Sequence, residues 1–240
     1  MKREKNIHQF SLDAKTNEGY IYTTKGSLSS QMANKRLTDV TIELIKSFKN
    51  KTIIDIGCGD GTYTLELLAK KPKYILGIDP AEEAIKKAKK DKKKLKNIDF
   101  RIENIYHLDR LNKTFDIAVV RGVLHHLYDA PRAAKILSKI AKVIIIIEPN
   151  GYNPMLKIIE KISPYHKAHE EKSYSPPDLD RWFEDNSCQI NKRMYAGLVP
   201  FFCPDWLAKI LKKIEPTVEK IPLLNRLLCA VYIQRIATSL

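Results

Sequence analysis

Short aliphatic runs alternate with segments of helical periodicity through the middle of the chain. The runs are rich in Ile, Val and Leu, and most intervening segments place apolar residues three or four positions apart. Almost continuously aliphatic strands that alternate with amphipathic helices are typical of a parallel sheet covered on both faces. The pattern therefore predicts an open, doubly wound α/β sheet, with strands at 53–56, 74–79, 98–102, 115–120 and 143–147.

The pattern changes on both sides of this predicted sheet. Residues 1–30 are polar and predict an irregular arm, and apolar spacing predicts a helix from Met32 to Phe48. Beyond the fifth strand we predict a last helix at Pro177–Glu184 and a strand near Gln189–Tyr195. A final strand at Val231–Ile236 is expected to be antiparallel, so that the sheet is mostly parallel with an antiparallel last strand.

Two insertions interrupt the passage from the fifth strand to the end of the chain. They lie at about 150–175 and 198–228. A chain of 240 residues with 44% hydrophobic residues can bury one sizeable core. We therefore predict an N-terminal arm and helix at 1–49, followed by a single domain at 50–240 that carries both insertions as a cap.

A glycine-rich stretch joins the first predicted strand to the helix after it. Asp55 precedes three glycines at alternate positions, Gly57, Gly59 and Gly61. Glycines allow positive φ and close approach of a ligand, and the start of a helix offers unpaired N–H groups. The stretch indicates a nucleotide-type site, with an ordinary loop as the alternative. Its G-x-G-x-G spacing differs from the G-x-G-x-x-G of dinucleotide binders.

Polar residues also follow the other predicted strands. In a doubly wound sheet the ligand lies beyond the carboxyl ends of the strands, so these residues are expected to surround one crevice. They are Asp79, Asn104, Arg121, His125 and Glu148.

Four motifs in this order resemble the class I S-adenosylmethionine-dependent methyltransferases. More narrowly, they are similar to the branch that acts on small molecules, which includes the ubiquinone-biosynthesis type. The motifs are Asp55–Gly61, Asp79, Asn104–Ile105 and Phe115–Leu127, and they cover about residues 50–150. The resemblance implies a Rossmann-like fold and S-adenosylmethionine as cofactor, with S-adenosylhomocysteine as product and methyl transfer by in-line displacement.

The resemblance also implies a role for each motif residue. The three glycines would let the loop pass under the methionine part of the cofactor, and Asp55 would help to hold its amino group. Asp79 would accept both ribose hydroxyls, for which a carboxylate has two acceptor oxygens. Ile105 would pack on the adenine, and Asn104, where the family frequently has Asp, would accept from the adenine amino group. Arg121 is included among the cofactor-binding positions; its alternatives are to steer an anionic acceptor or to satisfy a carbonyl.

Histidines supply the candidates for proton transfer. His125 and His126 follow the fourth strand, and histidine titrates near neutrality, so either is a candidate general base. The alternatives are helix capping or packing. Glu148 is interpreted as a helix cap or a substrate contact. His166 and His169 are candidate ligands or bases, but a metal needs three or four protein ligands and no third is evident, so no metal is predicted.

The net charge of +14 comes almost entirely from lysine. Nucleic acid, an anionic membrane surface and a general surface bias each explain it. The lysine run Lys86–Lys96 predicts a solvated helix face. The four cysteines form no C-x-x-C pair, which indicates a reducing compartment. The N-terminus lacks a following apolar segment and the longest aliphatic run, Val143–Ile147, is too short to span a bilayer, so a cytoplasmic location is predicted.

The second insertion places apolar residues at helical spacing among lysines. This favours a packed helix pair, and a substrate lid or a helix lying on an anionic membrane are compatible alternatives. We predict a small-molecule or lipid-like acceptor. The fourth strand lacks the Asn/Asp-Pro-Pro-aromatic motif of DNA amino-methyltransferases, whereas the charge keeps RNA as an alternative acceptor. A non-catalytic, cofactor-binding partner subunit is the second alternative.

Overall fold

The computed structural model of the chain describes residues 5–16, 26–163 and 172–240. The histidines His166 and His169 lie outside these ranges. The helices are α1 (Lys5–Thr16), α2 (Leu28–Ile45), α3 (Thr62–Leu68), α4 (Glu82–Asp91), α5 (Ala130–Leu137), α6 (Pro154–Ile162), α7 (Pro176–Glu184), α8 (Asp205–Val218) and α9 (Pro222–Leu228). The strands are β1 (Thr52–Ile56), β2 (Tyr74–Asp79), β3 (Ile98–Ile102), β4 (Phe115–Arg121), β5 (Ala141–Pro149), β6 (Gln189–Ala196) and β7 (Val231–Ala237).

The strands form one sheet in the order β3-β2-β1-β4-β5-β7-β6. β1 to β5 run parallel, whereas β7 is antiparallel to both of its neighbours. The predicted sheet, mostly parallel with an antiparallel last strand, is thereby confirmed. The strand order reverses between β1 and β4, and in doubly wound sheets the ligand crevice lies beyond the carboxyl ends of the strands at such a reversal.

Apolar side chains cover both faces of the sheet. Successive strand residues point to opposite faces, so Ile53 and Ile54 on β1 belong to different core clusters. On one face the sheet packs against α5 and α7, whose Phe183 is fully buried. On the other face it packs against α2, α3 and α4. The nearly continuous aliphatic strands are explained by this coverage on two sides.

The expectation of an irregular arm at residues 1–30 was wrong over the part that the structure describes. Lys5–Thr16 is helical, and α2 begins at Leu28, where Ser27 caps it by accepting the N–H of Ser30. The apolar residues Ile7, Phe10 and Ala14 of α1 follow helical spacing, and the helix packs against α4. Ala14 lies there in a small cluster with Ala81 and Ala84.

Both insertions contain helices. α6 lies in the first insertion, and α8 and α9 lie in the second, where they contact each other as a helix pair. Within the described ranges, no helix has the length and apolar character needed to cross a bilayer. The domain boundary at residue 50 and the interpretation of the insertions as a cap stay predictions.

Replacing Ile145 by alanine tests the contribution of the sheet centre. Ile145 on β5 is fully buried, so the change leaves a cavity, and we expect the free energy of unfolding to fall by about 2 to 5 kcal/mol. Ile158→Ala removes the same atoms from α6, where the side chain is 51% exposed, and should lower it by less than about 1 kcal/mol. Urea unfolding followed by circular dichroism measures both variants. Equal losses would contradict the placement of Ile145 in the core.

Candidate active site

The glycine loop lies between β1 and α3, at the crevice. Gly57, Gly59 and Gly61 have φ angles of 66°, 55° and 80°, a region that favours glycine. A Cβ atom on Gly57 would lie 2.5 Å from a methyl carbon of Val123, and one on Gly61 would lie 2.7 Å from the ring of Phe100. Close packing therefore also requires glycine at these two positions. The first contact brings the loop directly against the turn that follows β4.

Two buried carboxylates stand at the ends of β1 and β2. Asp79 accepts the backbone N–H of Gly59 at 3.0 Å with one oxygen and that of Ala81 at 2.8 Å with the other. Asp55 accepts the hydroxyl of Thr64 at 2.6 Å. Burial raises the pKa of Asp55 and that of Asp79 to about 6 in each case. Both acids thus change charge just below neutral pH.

The residues predicted to hold adenine lie next to a cavity. Asn104 caps the 3₁₀ turn Ile105–Leu111, because its side-chain oxygen accepts the N–H of Tyr106 at 3.1 Å. Ile105 is buried at the start of this turn. The cavity of about 520 Å³ is lined by residues of α1 and of the loops after β2 and β3: Ile7, His8, Ser11, Pro80, Glu82, Ile102, Glu103, Asn104 and His107.

Arg121, at the end of β4, is held mainly by α2. Its guanidinium donates to the hydroxyl of Thr38 at 3.1 Å and to the side-chain oxygen of Asn34 at 2.8 Å. It also donates to the backbone carbonyl of Asn34 at 3.3 Å and lies 3.9 Å over the ring of Tyr63. Burial lowers the pKa of Arg121. Of the alternatives, the structure shows the satisfied carbonyl; a contact with the cofactor stays a prediction.

A single buried carboxylate fixes the turn that follows β4. One oxygen of Glu148 accepts the N–H groups of Val123 and Leu124, each at 2.8 Å. The other accepts the backbone N–H of His125 at 3.2 Å and lies 2.7 Å from its ring Nδ1. Because a carboxylate only accepts, Nδ1 carries the proton of the neutral ring and Nε2 keeps the lone pair. The turn thereby presents His125 as an oriented candidate base.

The two candidate histidines differ in their surroundings. His125 is buried against Glu148, whereas His126 is half-buried. The ring centroids of the two histidines are 3.9 Å apart, and His126 meets the edge of Phe10 on α1 with centroids 4.8 Å apart. His126 thus packs between the turn and α1. The geometry favours His125 for proton transfer and His126 for packing.

Several residues of this edge were not assigned their roles from the sequence. Glu148 was interpreted as a helix cap or a substrate contact, and a lone acid closing an aliphatic strand was the only clue to it. Nothing in the sequence indicated that Asn34 and Thr38 hold Arg121. Nor did it indicate that Phe10 contacts His126. Each meets its partner across a large separation in sequence.

Among the described residues, no group of three or more His, Cys, Asp or Glu side chains is arranged to hold a metal ion.

The chain matches a family of known proteins over more than half of its length. Residues 47–194 match a protein-family model described as a methyltransferase domain. This stretch runs from just before β1 into β6, so it includes the glycine loop and the carboxyl edge of the parallel strands.

Two relatives differ in the acceptor that their names give. The chain is 27% identical over 164 residues to a tRNA U34 carboxymethyltransferase of Desulfotalea psychrophila, covering 66% of this chain and 49% of that protein. It is 29% identical over 178 residues to the mitochondrial ubiquinone biosynthesis O-methyltransferase of Dictyostelium discoideum, covering 64% and 54%. The chain thus spans about half of the length of these relatives.

Two solved structures share the architecture. The cyclase SpnF superposes with a TM-score of 0.71 at 15% identity, covering 98% of this chain and 96% of that one. Magnesium protoporphyrin IX methyltransferase of Synechocystis, crystallised with SAH, gives 0.65 at 13% identity, covering 99% and 97%. At such identities the likeness shows the fold alone. Because the family match takes in the parallel strands together with the loop and edge described above, the chain belongs to the methyltransferase domain family and has the class I S-adenosylmethionine-dependent methyltransferase fold.

Proposed function

We propose that the chain transfers a methyl group from S-adenosylmethionine to a small-molecule acceptor of lipid-like character. The observation that carries the proposal is the buried His125–Glu148 pair, which adjoins the glycine loop through the contact between Gly57 and Val123. A base held at the donor site suits an acceptor whose proton must leave, such as a hydroxyl or an acidic carbon.

The carboxyl edge has the groups that the cofactor requires. The three glycines give the loop its positive φ angles, and the buried Asp55 would hold the amino group of the methionine part. Asp79, whose oxygens take two backbone N–H groups, is the acceptor for the ribose hydroxyls. Asn104 and Ile105 would hold the adenine beside the cavity, and Arg121 would support this edge from α2. When bound, S-adenosylmethionine supplies a methyl group activated for in-line displacement.

Glu148 determines what His125 can do. By accepting Nδ1–H it holds the ring in one tautomer, so Nε2 is the atom that takes a proton from the acceptor. Its other hydrogen bonds hold the backbone of residues 123–125, so the ring and the turn move together. We regard His125 as the general base and Glu148 as its positioning residue. His126 remains the second predicted candidate, in contact with Phe10.

Two observations favour a lipid-like acceptor. One relative, 29% identical, is named a ubiquinone biosynthesis O-methyltransferase. The helices of the two insertions carry large apolar side chains at the surface, among them Ile158 on α6 and Leu223 on α9. A cap with this composition suits an acceptor that is itself apolar.

RNA is the main alternative acceptor. The net charge of +14 and the relative named a tRNA U34 carboxymethyltransferase both favour it. A non-catalytic partner subunit is the other alternative, and it would bind cofactor without transferring its methyl group. We place the protein in the cytoplasm, which the free state of Cys58, Cys188, Cys203 and Cys229 favours.

Cell extract incubated with the chain and tritium-labelled S-adenosylmethionine tests the proposed function. The extract is separated into water-soluble small molecules, lipids and RNA, and we expect protein-dependent label in the lipid fraction. Label in the water-soluble small molecules would contradict the lipid-like character of the acceptor. Label in RNA would support the alternative acceptor and contradict the proposal. Cofactor binding without label in any fraction would support the partner-subunit alternative.

Cofactor affinity should depend on pH. With a pKa of about 6 in the free protein, Asp55 and Asp79 become neutral as the pH falls, and the acceptors for the amino group and ribose are lost. We expect the affinity for S-adenosylhomocysteine to be constant above about pH 7 and to fall below about pH 6, by up to a hundredfold per pH unit for two protons. Calorimetry at several pH values measures it.

Substitution distinguishes the contributions of Asp55 and Asp79 to cofactor binding. Asp55→Asn and Asp79→Asn should each weaken binding at pH 7.5 by roughly tenfold or more, and each should reduce the limiting slope to one proton. Glu184→Gln, a change at a largely exposed acid paired with Arg193, is the matched control. A pH-independent affinity between pH 5 and pH 7.5 would refute the assignment of both acids.

Substitution of the proposed base should reduce turnover and leave cofactor binding intact. In the labelled fraction, His125→Ala is expected to transfer methyl groups about 10² to 10⁴ times more slowly, and added imidazole should restore part of the rate. Glu148→Gln should also slow transfer and shift its pH profile, because the ring loses its fixed tautomer. It should speed hydrogen exchange at amides 123–125. Unchanged turnover in His125→Ala with full binding would exclude His125 as the base.

A further inference from the structure

The helices of the two insertions form a continuous surface layer that exposes both apolar and basic side chains. α9 contacts both α8 and α6, so the three helices adjoin one another. We propose that this layer, hereafter the insertion face, docks on an anionic lipid bilayer.

Two of the three helices bury none of their residues. Every residue of α6 and α9 is at least partly exposed, although most of them are apolar. A short helix in water is normally stabilised by burying an apolar face, and contiguous exposed apolar surface marks a site of interaction. The large exposed apolar side chains of the three helices are Met155, Ile158, Ile162, Trp206, Ile210, Ile214, Leu223, Leu224, Leu227 and Leu228.

α9 is held by polar contacts that leave its leucines at the surface. The buried side chain of Asn150 donates to the carbonyls of Arg226 and Cys229, at 2.8 and 3.0 Å. Asn153 donates to those of Leu228 and Cys229, at 3.1 and 3.2 Å. These bonds satisfy carbonyls at the end of the helix, which a helix otherwise leaves unpaired. The fold therefore fixes α9 in place without covering its apolar side chains.

The exposed residues of α8 are separated into an apolar stripe and a basic flank. Trp206, Ile210 and Ile214 recur every four residues and form one apolar stripe. Lys209 and Lys213 are exposed immediately beside this stripe. An apolar stripe with a basic flank and an exposed tryptophan is typical of a helix that lies at a membrane–water boundary.

The exposed charge on the insertion face is positive. Of the acids on these helices, Glu215 is buried with its carboxylate bonded to Lys212 and to the N–H of Leu198, and Glu160 accepts from Lys157 and Ser173. Asp205 is the one fully exposed acid on the three helices. The exposed cations of α6, α8, α9 and the link between the last two are Lys161, Lys209, Lys213, Lys220 and Arg226.

An anionic bilayer suits both the exposed apolar side chains and the positive charge of this face. A second copy of the chain or RNA suits only one of these two properties. The acyl boundary accepts leucine, isoleucine and tryptophan side chains, and anionic headgroups attract lysines beside them. In a symmetric dimer the same lysines would meet their own copies, which is unfavourable. RNA would attract the lysines and leave the leucines exposed.

The insertion face also adjoins the proposed acceptor site. Asn150, which holds α9, is two residues beyond Glu148, which holds His125. A lipid acceptor could therefore pass from the bilayer to the base over a short path. This last step rests on the proposed function, but docking itself does not, because binding to vesicles requires no acceptor.

Vesicle binding by the full chain tests the proposal. Vesicles of phosphatidylcholine alone are compared with equimolar phosphatidylcholine and phosphatidylglycerol, and bound protein is separated by flotation. We expect binding to the anionic vesicles that weakens as salt rises. The double change Leu223→Ser and Leu227→Ser should weaken it roughly tenfold. Lys209→Glu with Lys213→Glu should weaken it by at least about fivefold for each lysine.

Matched controls lie at the opposite edge of the sheet. Leu95 is 47% exposed, and Lys93 and Lys94 are exposed beside it, just before β3. Leu95→Ser, and Lys93→Glu with Lys94→Glu, should leave vesicle binding unchanged. All variants should keep wild-type thermal unfolding and affinity for S-adenosylhomocysteine, so that lost docking is distinguished from lost folding or a failed cofactor assignment.

Three results would overturn the proposal. One is the absence of binding to anionic vesicles at low salt. Another is self-association in analytical ultracentrifugation that Leu223→Ser abolishes, which would assign the face to a second copy. The third is RNA binding that is lost in Lys209→Glu while vesicles are not bound.

Discussion

The carboxylate of Glu148 accepts three backbone N–H groups and one ring N–H from the turn after β4, and the shape of the carboxyl edge follows from it. Without this acceptor, the three backbone N–H groups and the Nδ1–H of His125 would lose these hydrogen bonds, and a donor that loses its acceptor inside the protein is destabilising. The fixed turn places Val123 against Gly57. Asn150, two residues further on, extends the same constraint to α9. The end of β5 thus connects the glycine loop, the proposed base His125 and the insertion face.

Buried charge at this edge is an arrangement that stability alone does not favour. Asp55 and Asp79 are each more than nine-tenths buried, and burial opposes their ionised forms. Arg121 lies near Asp55 and has its own hydrogen bonds from α2. Polar groups held ready before a ligand arrives need little rearrangement when it binds. The apolar core on both faces of the sheet stabilises the strands that carry these residues, and this offsets the unfavourable burial of their charged groups.

The strands and the family could be predicted from the sequence because both depend on local patterns. The bounds of β2 and β3 are those predicted, since an aliphatic run in a two-sided sheet is itself the physical requirement. α1 was missed because its few apolar residues, Ile7, Phe10 and Ala14, lie in an otherwise mostly polar segment, although their spacing is helical. The role of Glu148 was missed because its partners lie 23 to 25 residues earlier, beyond the reach of periodicity. The roles of the site residues follow from the family resemblance and stay predictions.

α1 meets the start of α4 through small side chains. Ala14 meets Ala81 and Ala84, and Phe10 touches His126 at its ring edge. Such contacts bury little apolar area, so α1 can separate at a lower free energy than unfolding of the sheet requires. Residues of α1 also form one wall of the cavity beside Asn104. Its separation would open that side while the strands stay paired, so the residence time of a bound nucleotide would be governed by a local opening rate, independently of global stability.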